Sequence, residues 1–160
     1  MQSFKIHSPA ITNSIVPSKY TCDGDGVSIP LSISGTPENT VSLALIMDDS
    51  DIPQEVKDMM GIDKFNHWLL GNIPPDVTSI EEDNKSIGTV GINSYGKAEY
   101  AGPCPPTEYT PTNHRYVFKL YALDCMLDIS TGFSEAELIE AMKDHIIEST
   151  DYTATFDRTI

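Results

Sequence analysis

The sequence predicts a mainly β fold carrying one or two helices. Three observations lead there. Short apolar stretches alternate with turn residues along most of the chain. The segment VSLALIMDD, 41–49, puts Val41, Leu43, Leu45 and Met47 on one face of a strand. One capping box, Ser134 with Glu137, opens the only well-formed helical stripe.

Taken in order, Phe4 and Ile6 alternate near the start, and Leu31 and Ile33 alternate before a turn at 35–39. The strand 41–49 follows. QEVKDMMG, 54–61, has room for a short helical turn. HWLLGNI, 67–73, reads as a second buried strand. HRYVFKLYALD, 114–124, is the third, rich in aromatic and β-branched residues. Leu138, Met142 and Ile146 recur every four residues and predict a helix over about 135–148. YTATF, 152–156, predicts a last strand.

A length of 160 residues fits a single domain, 1–160, with a core of its own. A formal charge of −14 argues against nucleic acid, which binds through Lys and Arg on phosphates. It argues equally against anionic membrane surfaces. The longest apolar run, LALIM at 43–47, is far short of a membrane span, and the first residues show no apolar leader. A soluble, cytoplasmic protein, monomer or homodimer, is expected. Cys22, Cys104 and Cys125 are odd in number and lack CxxC spacing, so reduced, packed thiols are expected, with no metal site and no cofactor.

Three strand ends carry side chains fit for chemistry. Asp49 continues the face of Leu43, Leu45 and Met47, with Asp51 beyond it. A carboxylate at the rim of a core needs donors or a cation; a solvated, Asp-rich turn is the alternative. His67 begins an otherwise apolar strand, either as a satisfied core residue or facing a ligand. Its neighbour Trp68 is the only tryptophan and reads as core. His114 and Tyr116 lie two apart and share a face, while Arg115 points away towards the chain's many carboxylates. Before them, Pro103, Pro105, Pro106 and Pro111 stiffen one loop. A stiff loop loses little entropy when a ligand docks beside it, though a merely rigid connection looks the same in sequence. A Cys104–His nucleophile pair and a two-His, two-Asp metal site remain open from residue types alone. No GxSxG, HExxH or phosphate-loop motif is present.

In this order the three stretches resemble the signature of the phosphatidylethanolamine-binding protein family, also called the Raf kinase inhibitor protein family, in its bacterial and archaeal branch. DDSDIP is similar to that family's D-P-D-x-P block, and HWLLGNIP to its H-W-x-x-x-N-I-P block. EYAGPCPP and HRYVFKLYALD are similar to its Y-x-G-P-x-P-P and H-R-Y-x-F-x-L-Y-A-L blocks. The resemblance implies a central antiparallel sheet flanked by a smaller sheet and helices. It implies a pocket for a small anionic or phosphorylated ligand, such as phosphate, a phosphomonoester or a phospholipid head group. Asp49, His67, His114 and Tyr116 would contact the ligand, with Cys104, Pro105 and Pro106 as wall and Asp51 and Trp68 behind them. It also makes Ile52–Pro53 a candidate cis peptide. Ser50 departs from the family's usual proline, and QEVKDMMGIDK, 54–64, is an unusual insert beside the pocket blocks.

With no nucleophile–base–orienter set legible, a binding module without catalytic residues is expected, acting on an unknown partner through its occupancy. The alternatives are a hydrolase using His67, His114 and Asp49 as acid–base groups, and a scaffold with a vestigial pocket. In the binding reading Asp49 either accepts a proton of the ligand or holds His67 cationic, while His67, His114 and the Tyr116 hydroxyl donate to the anion.

Overall fold

A computed structural model describes residues 2–158. The strand at its centre, β3 (Ser42–Asp49), is buried at all eight positions, because the run LALIM has no polar face to offer water. It pairs antiparallel with β4 (Phe65–Ile73) on one side and β7 (Asn113–Leu123) on the other. β6 (Thr89–Val90) and β8 (Ile146–Asp157) complete a five-stranded sheet ordered β6-β4-β3-β7-β8. A second antiparallel sheet, β1-β2-β5, is built from Lys5–His7, Leu31–Ser34 and Ser79–Ile80. Val41 stays half-exposed just outside β3 and is not part of its buried face.

The two faces of the large sheet bury different cores. Leu43, Leu45, Met47, Trp68, Phe118 and Leu120 pack towards Phe4 and towards Ile6, Leu31, Ile33 and Ile80 of the small sheet. Ala44, Ile46 and Leu69 pack the other way, under Leu138 and Met142 of helix α2 (Glu135–Met142). A shorter helix, α1 (Gln54–Met60), fills the insert between β3 and β4. Among the described residues, no helix is long and apolar enough to cross a membrane.

Three sequence expectations need correction. The predicted helix over 135–148 opens on its capping box but stops at Met142. Asp144 turns the chain through φ 68°, and Ile146, half-exposed, joins β8. β8 pairs with β7 over most of its 12 residues. Its β-branched residues favour that ladder over a third helical turn.

The cysteines are not all reduced: Cys22 and Cys104 form a disulfide, with Cα atoms 5.4 Å apart, and only Cys125 is free. The pairing is invisible to local spacing because the partners are 82 residues apart. The proline loop lies on the segment after a 3₁₀ turn at Ser18–Tyr20. Cys22 N–H donates to the Pro103 carbonyl at 3.2 Å. A side chain at Gly102 would meet the Tyr20 carbonyl at 2.6 Å, so only glycine allows this approach.

Finally, the cis X–Pro bond among the described residues is Thr110–Pro111, not Ile52–Pro53. Pro53 instead starts α1, its carbonyl accepting from Val56 and Lys57 N–H, so the helix makes the turn there.

A disulfide closing so long a loop restricts the unfolded chain strongly. Reduction, or Cys22→Ser, is expected to destabilise the fold by about 2–4 kcal/mol. Denaturant midpoints with and without reductant check this; Cys22→Ser should no longer respond to reductant.

Candidate functional site

Antiparallel pairing brings the end of β3 alongside the starts of β4 and β7: Asp49 stands opposite Phe65, and Asp48 opposite Val117. That register gathers Asp49, His67, His114 and Tyr116 around one cavity of about 160 Å³, with Cys104, Pro105 and Pro106 as part of its wall. On β7 the alternation of exposed Asn113 and Arg115 with buried His114 and Tyr116 turns the latter pair inward.

His67 reaches this face by an irregularity. Met47 pairs with Trp68 and Asp48 with Asn66, so His67 has no partner on β3 and forms a bulge. Plain alternation would point His67 away from Trp68; the bulge re-aims its ring into the cavity. There it lies edge-on to Tyr116, ring centroids 5.2 Å apart.

The two histidines hold different protons. His114 Nδ1 donates to Asp49 Oδ2 at 2.6 Å, and Nε2 to the Pro111 carbonyl at 2.8 Å. Both partners only accept, so the ring carries both protons and is an imidazolium. Burial alone would lower the His114 pKa, but the hydrogen bond and charge of Asp49 raise it overall. His67 Nδ1 donates to the Ala101 carbonyl at 2.8 Å, and Ala101 N–H donates to the His67 carbonyl at 2.8 Å. Burial pushes the His67 pKa down to about 4, against the weaker pull of that carbonyl and of Asp49. The ring is therefore neutral near pH 7, and its Nε2 is an acceptor with no partner among the described residues. The expectation that Asp49 keeps His67 cationic is replaced: Asp49 pairs with His114, and both His114 protons are already engaged. Burial, with Asp49 next, drives the Tyr116 phenol far up, so it stays a neutral hydroxyl.

Asp49 is used completely. Its Oδ1 accepts from Asp51 N–H at 2.7 Å, closing the 49–51 turn that lacks a proline at position 50. Asp51 lies behind the cavity wall and grips Arg115 through Nε at 2.9 Å, Nη2 at 2.8 Å and the backbone N–H at 2.8 Å. That bidentate pair holds the Asp51 carboxyl down at about 2. Trp68 does not border the cavity. It packs edge-on to Tyr100 and lines a second cavity of about 560 Å³ together with Leu70 and Val90.

Five lining residues were missed in the sequence: Ile52, Val56, Met60, Phe65 and Tyr95. Val56 and Met60 come from the insert, and their spacing of four on a helix was the available signal. Phe65, two before His67, packs against His67 and Tyr95 at 4.7 Å each. Nothing local marks Tyr95, which sits in a turn closed by the Asn93 side chain. Because Cys104 is disulfide-bonded, it is no thiol nucleophile for either histidine.

Comparison with known proteins agrees with this architecture. The family model described as phosphatidylethanolamine-binding protein matches residues 7–157. A UPF0098 protein of Methanothermobacter thermautotrophicus is 44% identical over 138 residues, covering 82% of this chain and 83% of that one. The crystal structure of a phosphatidylethanolamine-binding protein homologue from Chlamydia trachomatis superposes with a TM-score of 0.89 at 34% identity, covering 98% of each chain. Escherichia coli YbcL, described as a new member of the mammalian family, superposes with a TM-score of 0.83 at 26% identity over 98% of this chain and 99% of its own.

The opposite shifts of the two histidines predict a two-sided stability profile. His67 binds its proton near pH 6.5 when unfolded but only near 4 when folded. Stability should therefore fall by about 3 kcal/mol as pH drops from about 6.5 to about 4. His114, raised on folding, contributes stability that is complete below about 6.5 and is lost as pH rises through its folded value. Urea titrations across this range should show the acid loss flattened in His67→Gln, which keeps a donor for Ala101.

Proposed function

Since this chain belongs to the phosphatidylethanolamine-binding protein family, we propose that its cavity binds a small phosphorylated anion through a proton shared with His67. The observation that carries this reading is the neutral His67 facing Tyr116 across a cavity that also holds the His114–Asp49 pair. The ion pair is close to neutral in sum, so it neither repels an anion strongly nor attracts one strongly. Recognition then falls to hydrogen bonds. Tyr116 donates its hydroxyl to a phosphate oxygen. His67 Nε2 accepts from the protonated oxygen of a phosphate monoanion, or takes that proton and leaves a dianion beside an imidazolium; either way one proton accompanies the ligand. Ile52, Val56, Met60 and Phe65 offer an apolar wall to whatever the phosphate is esterified to.

The same arrangement favours binding over turnover. Asp49 is spent on His114 and the turn, Cys104 on Cys22, and among the described residues no free nucleophile lines the cavity with the histidines. Regulation of a protein partner by occupancy is compatible with α1 at the mouth, where Met59 and Met60 stand exposed. The disulfide weighs against the cytoplasmic placement expected from sequence, because reducing compartments of mesophiles rarely keep one.

Calorimetry with inorganic phosphate and a simple phosphomonoester tests the reading. Affinity for the monoester should fall about tenfold per pH unit above its second pKa of about 6, with one proton taken up per ligand. Flat affinity from pH 6 to 8 would sink it. Tyr116→Phe should weaken binding about tenfold, the worth of one net hydrogen bond. Asp49→Ala should lose both binding and about 3 kcal/mol of stability, since it strands a buried charge. Release of phosphate from the ester, abolished in His67→Gln, would favour an enzyme instead.

A further inference from the structure

Away from this cavity, the end of β7 and the start of β8 bring together three donor side chains of different chemistry. Asp124, Cys125 and His145 present an oxygen, a sulfur and a nitrogen that all lie within 4.8 Å of one another. His145 Nδ1 is 2.8 Å from Asp124 Oδ1. The backbone holds the two segments in place. Asp124 N–H donates to the His145 carbonyl at 3.0 Å, and the Ser42 hydroxyl donates to the Cys125 carbonyl at 2.7 Å. A histidine–aspartate pair would account for two of the three groups. A metal ion uses all three, including the one cysteine outside the disulfide.

We propose that Asp124, Cys125 and His145 form a surface site for a borderline-soft divalent cation of the zinc class. The donor set decides the class. Thiolate, imidazole and carboxylate together suit zinc or cobalt, whereas calcium and magnesium require oxygen donors. Ligand atoms around tetrahedral zinc lie about 3.3–3.8 Å apart, given bonds of about 2.0–2.3 Å. Closing the triad therefore takes about 1 Å of side-chain movement. Asp124 and His145 have that freedom, their side chains being 53% and 45% exposed. On binding, the Cys125 thiol gives its proton to solvent. The His145 proton moves from Nδ1 to Nε2, so that the Nδ1 lone pair meets the metal. Three protein ligands leave a fourth position for water or an outside donor. The chain's charge of −14 raises the local concentration of cations.

Cobalt(II) titration of the tag-free full chain, disulfide intact, tests the site through the near-ultraviolet thiolate-to-cobalt charge-transfer band. With Cys22 and Cys104 bonded to each other, only Cys125 can give that band. Cobalt held by His67 or His114 would be silent in it. The band should saturate at one cobalt per chain, disappear when zinc is added and survive added magnesium. It should be absent in Cys125→Ser. Asp124→Asn and His145→Ala should each weaken binding about tenfold or more, with melting in metal-free buffer unchanged. Absence of the band overturns the proposal. So does a band whose affinity is the same in Asp124→Asn and His145→Ala, which would mean binding by the thiol alone.

Discussion

The hydrogen-bonded ion pair between His114 and Asp49 is the constraint on which the candidate site rests. Both side chains are almost fully buried, and the two atoms are 2.6 Å apart. Neither charge could stay there alone, because desolvation would neutralise or expel it. Together they fix the end of β3 to the start of β7. Each remaining polar atom of the pair has a partner: the Pro111 carbonyl on the imidazolium, and the Asp51 amide on the carboxylate. Arg115 anchors the pair from outside by gripping Asp51. Five residues from two chain segments thus form one connected network, of the kind that rigidifies when every member is satisfied.

Two histidines sharing one cavity end with opposite protonation because their surroundings differ. His114 has a carboxylate on one nitrogen; His67 has only a backbone carbonyl and a buried, largely apolar setting. The separation of roles follows the general pattern in which paired titratable groups are driven apart by environment. One ring supplies a fixed structural charge. The other keeps a lone pair available. That division leaves the carboxylate bordering the cavity already paired with a cation.

The walls come from devices remote from the chemistry. The proline loop is held against the 3₁₀ turn by the disulfide, by the Cys22–Pro103 hydrogen bond and by the absence of a side chain at Gly102. Arg158 adds a contact to the Pro105 carbonyl at 3.4 Å from the far end of β8. On the opposite side, α1 contributes Val56 and Met60 while burying none of its residues fully. One wall is covalently tied and the other is a lightly held helix.

Where a signal is periodic, the sequence alone determined the outcome. The buried run 42–49, the alternation of His114 with Tyr116 and the capping box at Ser134 each declare a strand face or a helix start within a few residues. Hence the mainly β fold and the lining roles proposed for Asp49, His67, His114 and Tyr116 could be read from the chain together with its family resemblance. Tertiary structure decided the rest, because the deciding partners are distant in sequence. Asp49 is equally near a histidine at 67 or at 114 on paper; antiparallel register gave it 114. The bulge at His67 exists only relative to β3. The Cys22–Cys104 bond depends on two loops stacking, and α2 ends early because β7 offers residues 146–157 a ladder worth more than another helical turn. Local pattern sets which way a side chain faces, but the group it meets there is fixed only when remote strands come into register.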